Sequence, residues 1–384
     1  MDFIPYTQEH RIFRESFRKF LDKEIVPHVE QWEEDGIVPR WAWKKMGDNG
    51  FLSTSVPAEY GGQGADFLYS AILIEEMARA NFYGLSARLH GDVAVPYLMQ
   101  LATEEQKKKY LPGCISGDIL MAIAMSEPAA GSDLAGMKTT ALEDGDSFIL
   151  NGQKTFISNG INCDLVIVAA KDPRESNSHA AVDLFLVEAG TPGFEKGKKL
   201  KKIGWRSQDT AELFFADCRI PKENRLGPKG TGFKNLMINL QQERLICTIG
   251  AQTAAEFMLE ETILYCKQRE VFGKKLSQLQ NTQFVLAEMA AEVTVGRTFV
   301  DKMILEHWKK NSVTVEVSMA KLWITEMAWR VADRCLQLFG GYGYCEEYPI
   351  ARAWRDIRVT RILAGSNEIM KQIIARAVIN KREM

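Results

Sequence analysis

Signals for a metal centre, a membrane span or a nucleic-acid partner are scarce in this 384-residue sequence. Its seven cysteines (Cys114, Cys163, Cys218, Cys247, Cys266, Cys335 and Cys345) are scattered and contain no CxxC pair. Neither a zinc site nor a disulfide framework is expected, and the thiols read as reduced. Long apolar runs are missing: stretches such as Leu165 to Ala170 fall far below the roughly 18 residues that a membrane-spanning helix needs. No N-terminal stretch has the layout of a signal peptide, so a soluble chain is expected. Positive charge is not in excess either. A formal net charge of -2 gives no global means of displacing counterions from a phosphate backbone, which argues against nucleic acid.

Local features fail in the same way. The crowd of Lys196, Lys198, Lys199, Lys201 and Lys202 reads first as a solvated loop and second as a stretch near an anionic ligand or partner. Gly227, Gly230 and Gly232 lack the Lys-Ser/Thr ending of a P-loop, and Gly340-Gly341-Tyr342-Gly343 lacks the third glycine of a dinucleotide fingerprint. His10, His28, His90, His179 and His307 fit no metal or Ser-His-Asp spacing and read as packed or solvated side chains.

What is present is an ordinary globular composition, 46% hydrophobic and 26% charged, in a chain long enough for about two or three domains. Helical periodicity runs from Glu9 to about Tyr110, as in Phe13, Phe17, Phe20 and Leu21, with a Pro/Gly loop at Val56 to Gly64. Between Leu120 and Leu226 short β-rich runs take over: Ser147–Leu150, Thr155–Ser158, Leu165–Ala169, Leu184–Val187 and Ala211–Ala216. Asp144-Gly145 and Asn151-Gly152 read as hairpin turns between antiparallel strands. Helical spacing then returns, with stretches at Phe233–Lys267, Gln278–Trp308, Val313–Phe339 and Ser366–Ile379.

Five stretches, in order along nearly the whole chain, together resemble the acyl-CoA dehydrogenase family. They are Ala124-Met125-Ser126-Glu127-Pro128-Ala129-Ala130-Gly131-Ser132-Asp133, then Lys154 to Gly160, then Arg269 to Gln283 with Arg269, Phe272, Gly273 and Gln280 matching. Gln337 to Tyr344 and Arg361 to Ile369 complete the set. Gln242-Glu243-Arg244-Leu245 and Asn367-Glu368-Ile369-Met370-Lys371 look closest to the long-chain branch.

The resemblance implies an α+β, mostly α fold: an N-terminal all-helical domain (1–119), a middle β domain (120–228) and a C-terminal four-helix bundle (229–384). It also implies FAD, an acyl-CoA substrate, an electron-transfer flavoprotein as acceptor and a homotetramer. The compartment implied is the bacterial cytoplasm or, for a mature chain, the mitochondrial matrix. Cofactor contacts are implied for Ala124, Ser126, Gly131, Ser132, Phe156 and Ser158, and for Arg269, Phe272, Gln280, Gln337, Gly340, Gly341, Ser366 and Glu368. Some of these would come from a neighbouring subunit. Ser132, Arg244 and Gly365 match positions that touch the thioester or its arm.

Dehydrogenation beside a thioester needs a carboxylate in a dry cavity, where desolvation raises its basicity. Most of the family places that glutamate just before the glycine of the terminal motif, where this chain has Ala364. A minority branch carries it earlier, at the position of Glu243. Phe233, Leu236, Met237 and Leu240 follow i, i+3, i+4, i+7, and Glu243 with Arg244 falls near that apolar face.

Asp92 is a second departure, in a helix that lines the family's acyl cavity. A carboxylate there costs several kcal/mol against a greasy tail unless paired. Asp92 reads as an additional base for an alicyclic thioester, as a mark of a short or polar substrate, or as an acid turned to solvent or paired with Arg88.

Overall fold

The computed structural model describes residues 3–380. The first helices are α1 (Gln8–Phe20), α2 (Val29–Asp35), α3 (Arg40–Asp48), α4 (Phe67–Arg79), α5 (Ala87–Leu89), α6 (Val95–Leu101) and α7 (Glu104–Ser116). Eight strands follow: β1 (Met121–Ala124), β2 (Thr140–Asp144), β3 (Ser147–Ile157), β4 (Leu165–Lys171), β5 (Val182–Glu188), β6 (Phe194–Lys199), β7 (Ala211–Pro221) and β8 (Arg225–Leu226). Helices then return as α8 (Gly232–Gln268), α9 (Gln280–Trp308), α10 (Thr314–Phe339), α11 (Pro349–Ile357) and α12 (Asn367–Ile379), with a small hairpin of β9 (Glu270–Val271) and β10 (Lys274–Lys275) between α8 and α9.

Local chemistry sets several of these boundaries. Thr7 with His10, and Thr103 with Gln106, form reciprocal capping boxes that satisfy the first free N–H groups of α1 and α7. The Asp66 carboxylate accepts from the Leu68 N–H at 2.9 Å to open α4. Between α5 and α6 the chain widens into a π turn, His90–Ala94. His90 is wholly buried there. Its Nδ1 accepts from the Met121 N–H at 3.0 Å, which leaves Nε2 to donate to the Cys114 carbonyl at 2.8 Å. Burial holds this ring well below the usual histidine range, at about 4, so it is a neutral tie between the π turn, α7 and β1.

The sheet runs β6-β7-β3-β2-β4-β5-β8, with β1 parallel beside β4. Alternate residues of β4 and β5 serve different cores. Leu165, Ile167, Leu184 and Leu186 join the large cluster shared with the helices, whereas Val166, Val168, Phe185 and Val187 join a smaller cluster within the β layer. Both faces are therefore covered, which is why these strands read as apolar runs without alternation. A third cluster packs α1, α3 and the Phe82–Leu85 turn.

Two strand-level expectations are corrected. Asp144-Gly145 does form the β2–β3 hairpin, with Gly145 at φ +59°. Asn151-Gly152, by contrast, lies inside one continuous β3 at a register shift, so the two short strands expected there are one. Gly152 is required because a Cβ would stand 2.6 Å from Thr139 Oγ1; its glycine serves close packing rather than a turn. The lysine crowd is solvated, with Lys196, Lys198 and Lys201 exposed, but only its end is loop. Lys196, Lys198 and Lys199 belong to edge strand β6, and the ammonium groups of Lys196 and Lys199 donate to the Ile161 and Asp35 carbonyls, both at 2.8 Å. Lysines on an edge strand also discourage further strand pairing.

Candidate active site

α8 is the centre of the site. It is one unbroken helix of 37 residues, and Gly232 at its start lets it approach β5, since a Cβ there would lie 2.6 Å from the Val182 carbonyl. Leu236, Leu240, Glu243 and Arg244 are all buried on its inner face. α6 brings Tyr97 across, and its hydroxyl donates to Glu243 Oε1 at 3.0 Å. Desolvation is the largest influence on Glu243; the Tyr97 hydrogen bond and the Arg244 charge pull the other way, and the carboxyl settles at about 7. It is a carboxyl poised near neutrality.

The neighbours of Glu243 are held by a chain of hydrogen bonds. Gln241 donates to His307 Nδ1 at 3.1 Å, and His307 Nε2 lies 3.0 Å from Gln242 Oε1. Gln242 in turn donates to the Asp92 carbonyl at 2.7 Å. Arg244 points instead toward the turn before α12, where Ala364 and Gly365 both have left-handed backbone, at φ +54° and +85°. An added Cβ on Gly365 would lie 3.9 Å from the guanidinium. The buried Lys321 clamps this turn by donating to the Gly365 carbonyl at 2.8 Å and to Asn367 Oδ1 at 3.0 Å. Arg244 Nε has no hydrogen-bond partner among the described residues, so a donor is left over beside the base.

A second group of predicted residues gathers on the sheet. The Thr155 N–H donates to the Ser126 carbonyl at 3.0 Å, which sets the serine motif against β3. The buried Lys154 ammonium bridges the Met125 carbonyl at 3.1 Å and Glu127 Oε1 at 2.8 Å, while Glu127 also accepts from the Thr139 N–H at 3.0 Å. A register shift between Lys154 and Ile157 then turns Phe156 outward with left-handed backbone, φ +59°, and leaves it 69% exposed. A bulky residue held that way, open to solvent, marks a platform for something else. Ser158 is half-buried beside it, whereas Ala124 is fully buried in β1 and can contribute only backbone.

A third group lies at the β9–β10 hairpin and the end of α10. Phe272 and Gly273 form the hairpin tip, both at positive φ, and Phe272 is 98% exposed. The Arg269 guanidinium sits over the Tyr342 ring, 5.5 Å from its centroid, next to Gly340 and Gly341, around which a Cβ would meet nothing within 4 Å. Gln280 and Gln337 are exposed at the ends of α9 and α10, and Ser366 with Glu368 opens α12.

The residues of these groups fall within three matched domains. The acyl-CoA dehydrogenase N-terminal domain matches residues 7–118, the middle domain residues 122–218 and the C-terminal domain residues 230–379. The chain belongs to the acyl-CoA dehydrogenase family. The long-chain specific acyl-CoA dehydrogenase of Sus scrofa mitochondria is 47% identical over 378 residues, 98% of this chain and 88% of that protein. An acyl-CoA dehydrogenase of Bacillus subtilis is 37% identical over 97% of this chain and 98% of its own. The crystal structure of an acyl-CoA dehydrogenase from Geobacillus kaustophilus superimposes with a TM-score of 0.96 at 55% identity, covering 97% of this chain and 99% of that one.

Acyl-CoA dehydrogenases are enzymes and FAD flavoproteins, and the residues here fit that group. Phe156 offers an open aromatic face, and Gly131, Gly340 and Gly341 leave free space where a side chain would intrude. Ser132 and Gly131 are exposed at the lip of the serine motif. Asp92 is not with Glu243. Its carboxyl is buried, turned into a cavity lined by Ser53, Thr54 and Arg88, and pushed up to about 6 by burial, with Ser70 and Arg88 pulling it down. It faces neither solvent nor an ion-pair partner among the described residues.

Sequence reasoning missed four side chains: Tyr97, Lys154, Lys321 and His307. Lys154 stood inside a matched motif, and a lysine in a strand between apolar neighbours was a usable signal. Tyr97 and Lys321 gave none, because their partners are 146 residues away along the chain for Tyr97 and 44 to 46 for Lys321.

Proposed function

We propose that this protein performs α,β-dehydrogenation of an acyl-CoA thioester with Glu243 as the base. The observation that carries this reading is a buried carboxyl whose only hydrogen-bond donor among the described residues is a tyrosine and whose basicity lies near neutrality. Glu243 removes the proton α to the thioester carbonyl, and bound FAD supplies the acceptor for the β hydride. Arg244 and the Lys321-clamped turn at Gly365 fix the region around the base, so the carboxylate does not reorganise as the proton moves. The meeting of Arg244 with Gly365 supports the relocation of the acid, since it brings the helix bearing Glu243 to the turn where Ala364 stands. Ser126 and Ser158 would donate toward the flavin ring over Phe156, with Ser132 and Gly131 at the lip. Arg269, Phe272, Gln280, Gln337, Gly340 and Gly341 would hold the rest of FAD, in part across a subunit interface of a homotetramer; the fully exposed Phe272 supports that. Ser366 and Glu368 complete the site, and an electron-transfer flavoprotein is the proposed acceptor, in a bacterial cytoplasm or a mitochondrial matrix.

The test is anaerobic mixing of the yellow holoenzyme with linear, branched and cyclic acyl-CoAs, following flavin bleaching as a function of pH. The rate should rise through about pH 7 as Glu243 ionises. Tyr97→Phe removes a hydrogen bond that favours the charged form, so the rise should move to higher pH and the rate at neutrality should fall. A pH-independent rate, or an unmoved profile in the variant, counts against the base.

A second reading gives Asp92 a further proton in an alicyclic acyl-CoA, and its buried, raised carboxyl favours it. Asp92→Asn should then lose alicyclic substrates about a hundredfold or more while sparing linear ones. Equal activity on both classes sinks this reading.

A further inference from the structure

The far end of the acyl group, taken on the dehydrogenation reading above, is addressed by a guanidinium, that of Arg88, which has no hydrogen-bond or ion-pair contact among the described residues, although its charge acts on the nearby Asp92 carboxyl. Glu243, Cys247 and Gly250 fall at i, i+4 and i+7 on α8 and share one face, so Gly250 lies ~10 Å along the axis from the base. There a Cβ would come within 3.0 Å of an Arg88 guanidinium nitrogen and 3.7 Å of Ile74. Glycine leaves the room that the guanidinium occupies.

Arg88 is flanked by two rings, with Trp205 4.9 Å and Tyr83 5.5 Å from its central carbon. It makes no ion pair and no hydrogen bond with any described residue. Stacking on aromatic faces orients a guanidinium, but it satisfies none of the in-plane N–H donors. The arrangement is built rather than incidental. Trp205 is held at φ +48°, a conformation bulky residues avoid, by its N–H donating to Asp356 at 2.7 Å. Tyr83 Oη and Trp205 Nε1 are themselves buried without hydrogen-bond partners among the described residues. Arg88 reaches from this point into the cavity that Asp92, Ser53 and Thr54 also line, so this end is polar on several sides. A methyl-ended tail would leave the guanidinium donors unmet; an anion would meet them.

We propose that Arg88 receives the terminal carboxylate of an ω-carboxyacyl-CoA, the mono-thioester of a medium-length dicarboxylic acid, while Glu243 acts at the thioester end. The ~10 Å along α8 from Glu243 to Gly250, beside which the guanidinium lies, sets the length class. A planar guanidinium pairs with a carboxylate through two parallel hydrogen bonds, which an ammonium cannot reproduce.

The test compares acyl-CoAs and ω-carboxyacyl-CoAs of matched length in anaerobic flavin reduction, with the wild-type holoenzyme, Arg88→Met and Arg88→Lys. At one medium length the wild type should favour the carboxylate-ended substrate. Arg88→Met should lower kcat/KM for it about 10- to 100-fold, as expected for a charged hydrogen bond, and leave the methyl-ended substrate nearly unchanged. Arg88→Lys should keep part of the preference. A wild type that favours methyl-ended tails at every length, or an Arg88→Met that lowers both substrates equally, overturns the proposal while leaving the dehydrogenation reading intact. Flavin reduction by neither series overturns both. Should Arg88→Met not fold, the wild-type preference and the lysine variant decide.

Discussion

Replacement of Glu243 by glutamine is expected to yield a yellow, folded enzyme that substrates bind and do not bleach. The substitution keeps the shape of the side chain and leaves Tyr97 a carbonyl to donate to, so the helix face and the cofactor contacts stay in place. What is lost is the proton acceptor. General-base catalysis is worth about 10²- to 10⁴-fold, and because no second carboxyl acts on Glu243 among the described residues, the loss should sit at the upper end. Stopped-flow flavin reduction reads it directly, with FAD content and substrate-binding spectra as controls for folding. A variant retaining more than a few per cent of the wild-type reductive rate would mean that another acid serves the α carbon. Adding glutamate at Ala364 in the same variant is a demanding complement, because that residue already has left-handed backbone next to Gly365.

The second large effect is expected from Lys154→Met. Lys154 and Glu127 are both buried and pair at 2.8 Å, and together they bind the Met125 carbonyl and the Thr139 N–H. Removing the ammonium leaves a carboxylate with backbone donors but no counter-charge in a dry layer. Breaking one partner of such a pair costs about 3 to 5 kcal/mol. The local consequence should exceed the global one, since the pair fixes Ser126 against β3 two residues before Phe156 turns outward. FAD should leave the variant more easily than the protein unfolds, seen as apoprotein on gel filtration before any fall in helical signal. Lys154→Met with Glu127→Gln should recover part of the stability, because no unpaired charge remains. A single variant as stable and as yellow as the wild type would show that the pair positions nothing.

The helical portions were legible because their order is local. Four long C-terminal helices were expected within a residue or two of where they lie, since period and breakers agree along each of them. The β layer was less so. Asn151-Gly152 carries a turn signature, yet its glycine answers to Thr139, a residue on another segment, and no window around it shows that neighbour. The lysines of β6 read as loop for the same reason: their carbonyl partners come from Asp35 and Ile161. At the candidate site, Glu243 was visible as an acid on an apolar helical stripe, but Tyr97, which tunes it, was not. Asp92 was visible as an oddity and its surroundings were not, because the cavity is assembled from α1, α3, α4 and the turn after α4. Periodicity reveals which face is buried; it is silent on what that face meets.

If Glu243 is the base, α8, which also carries two turns later the gap occupied by Arg88, would work as a ruler with the chemistry fixed at its zero mark. Each substitution one turn further along shifts the floor by ~5 Å without disturbing Glu243. Taste for tail length or tail polarity can therefore drift among relatives through single exchanges at such gradations, while the reaction itself stays put.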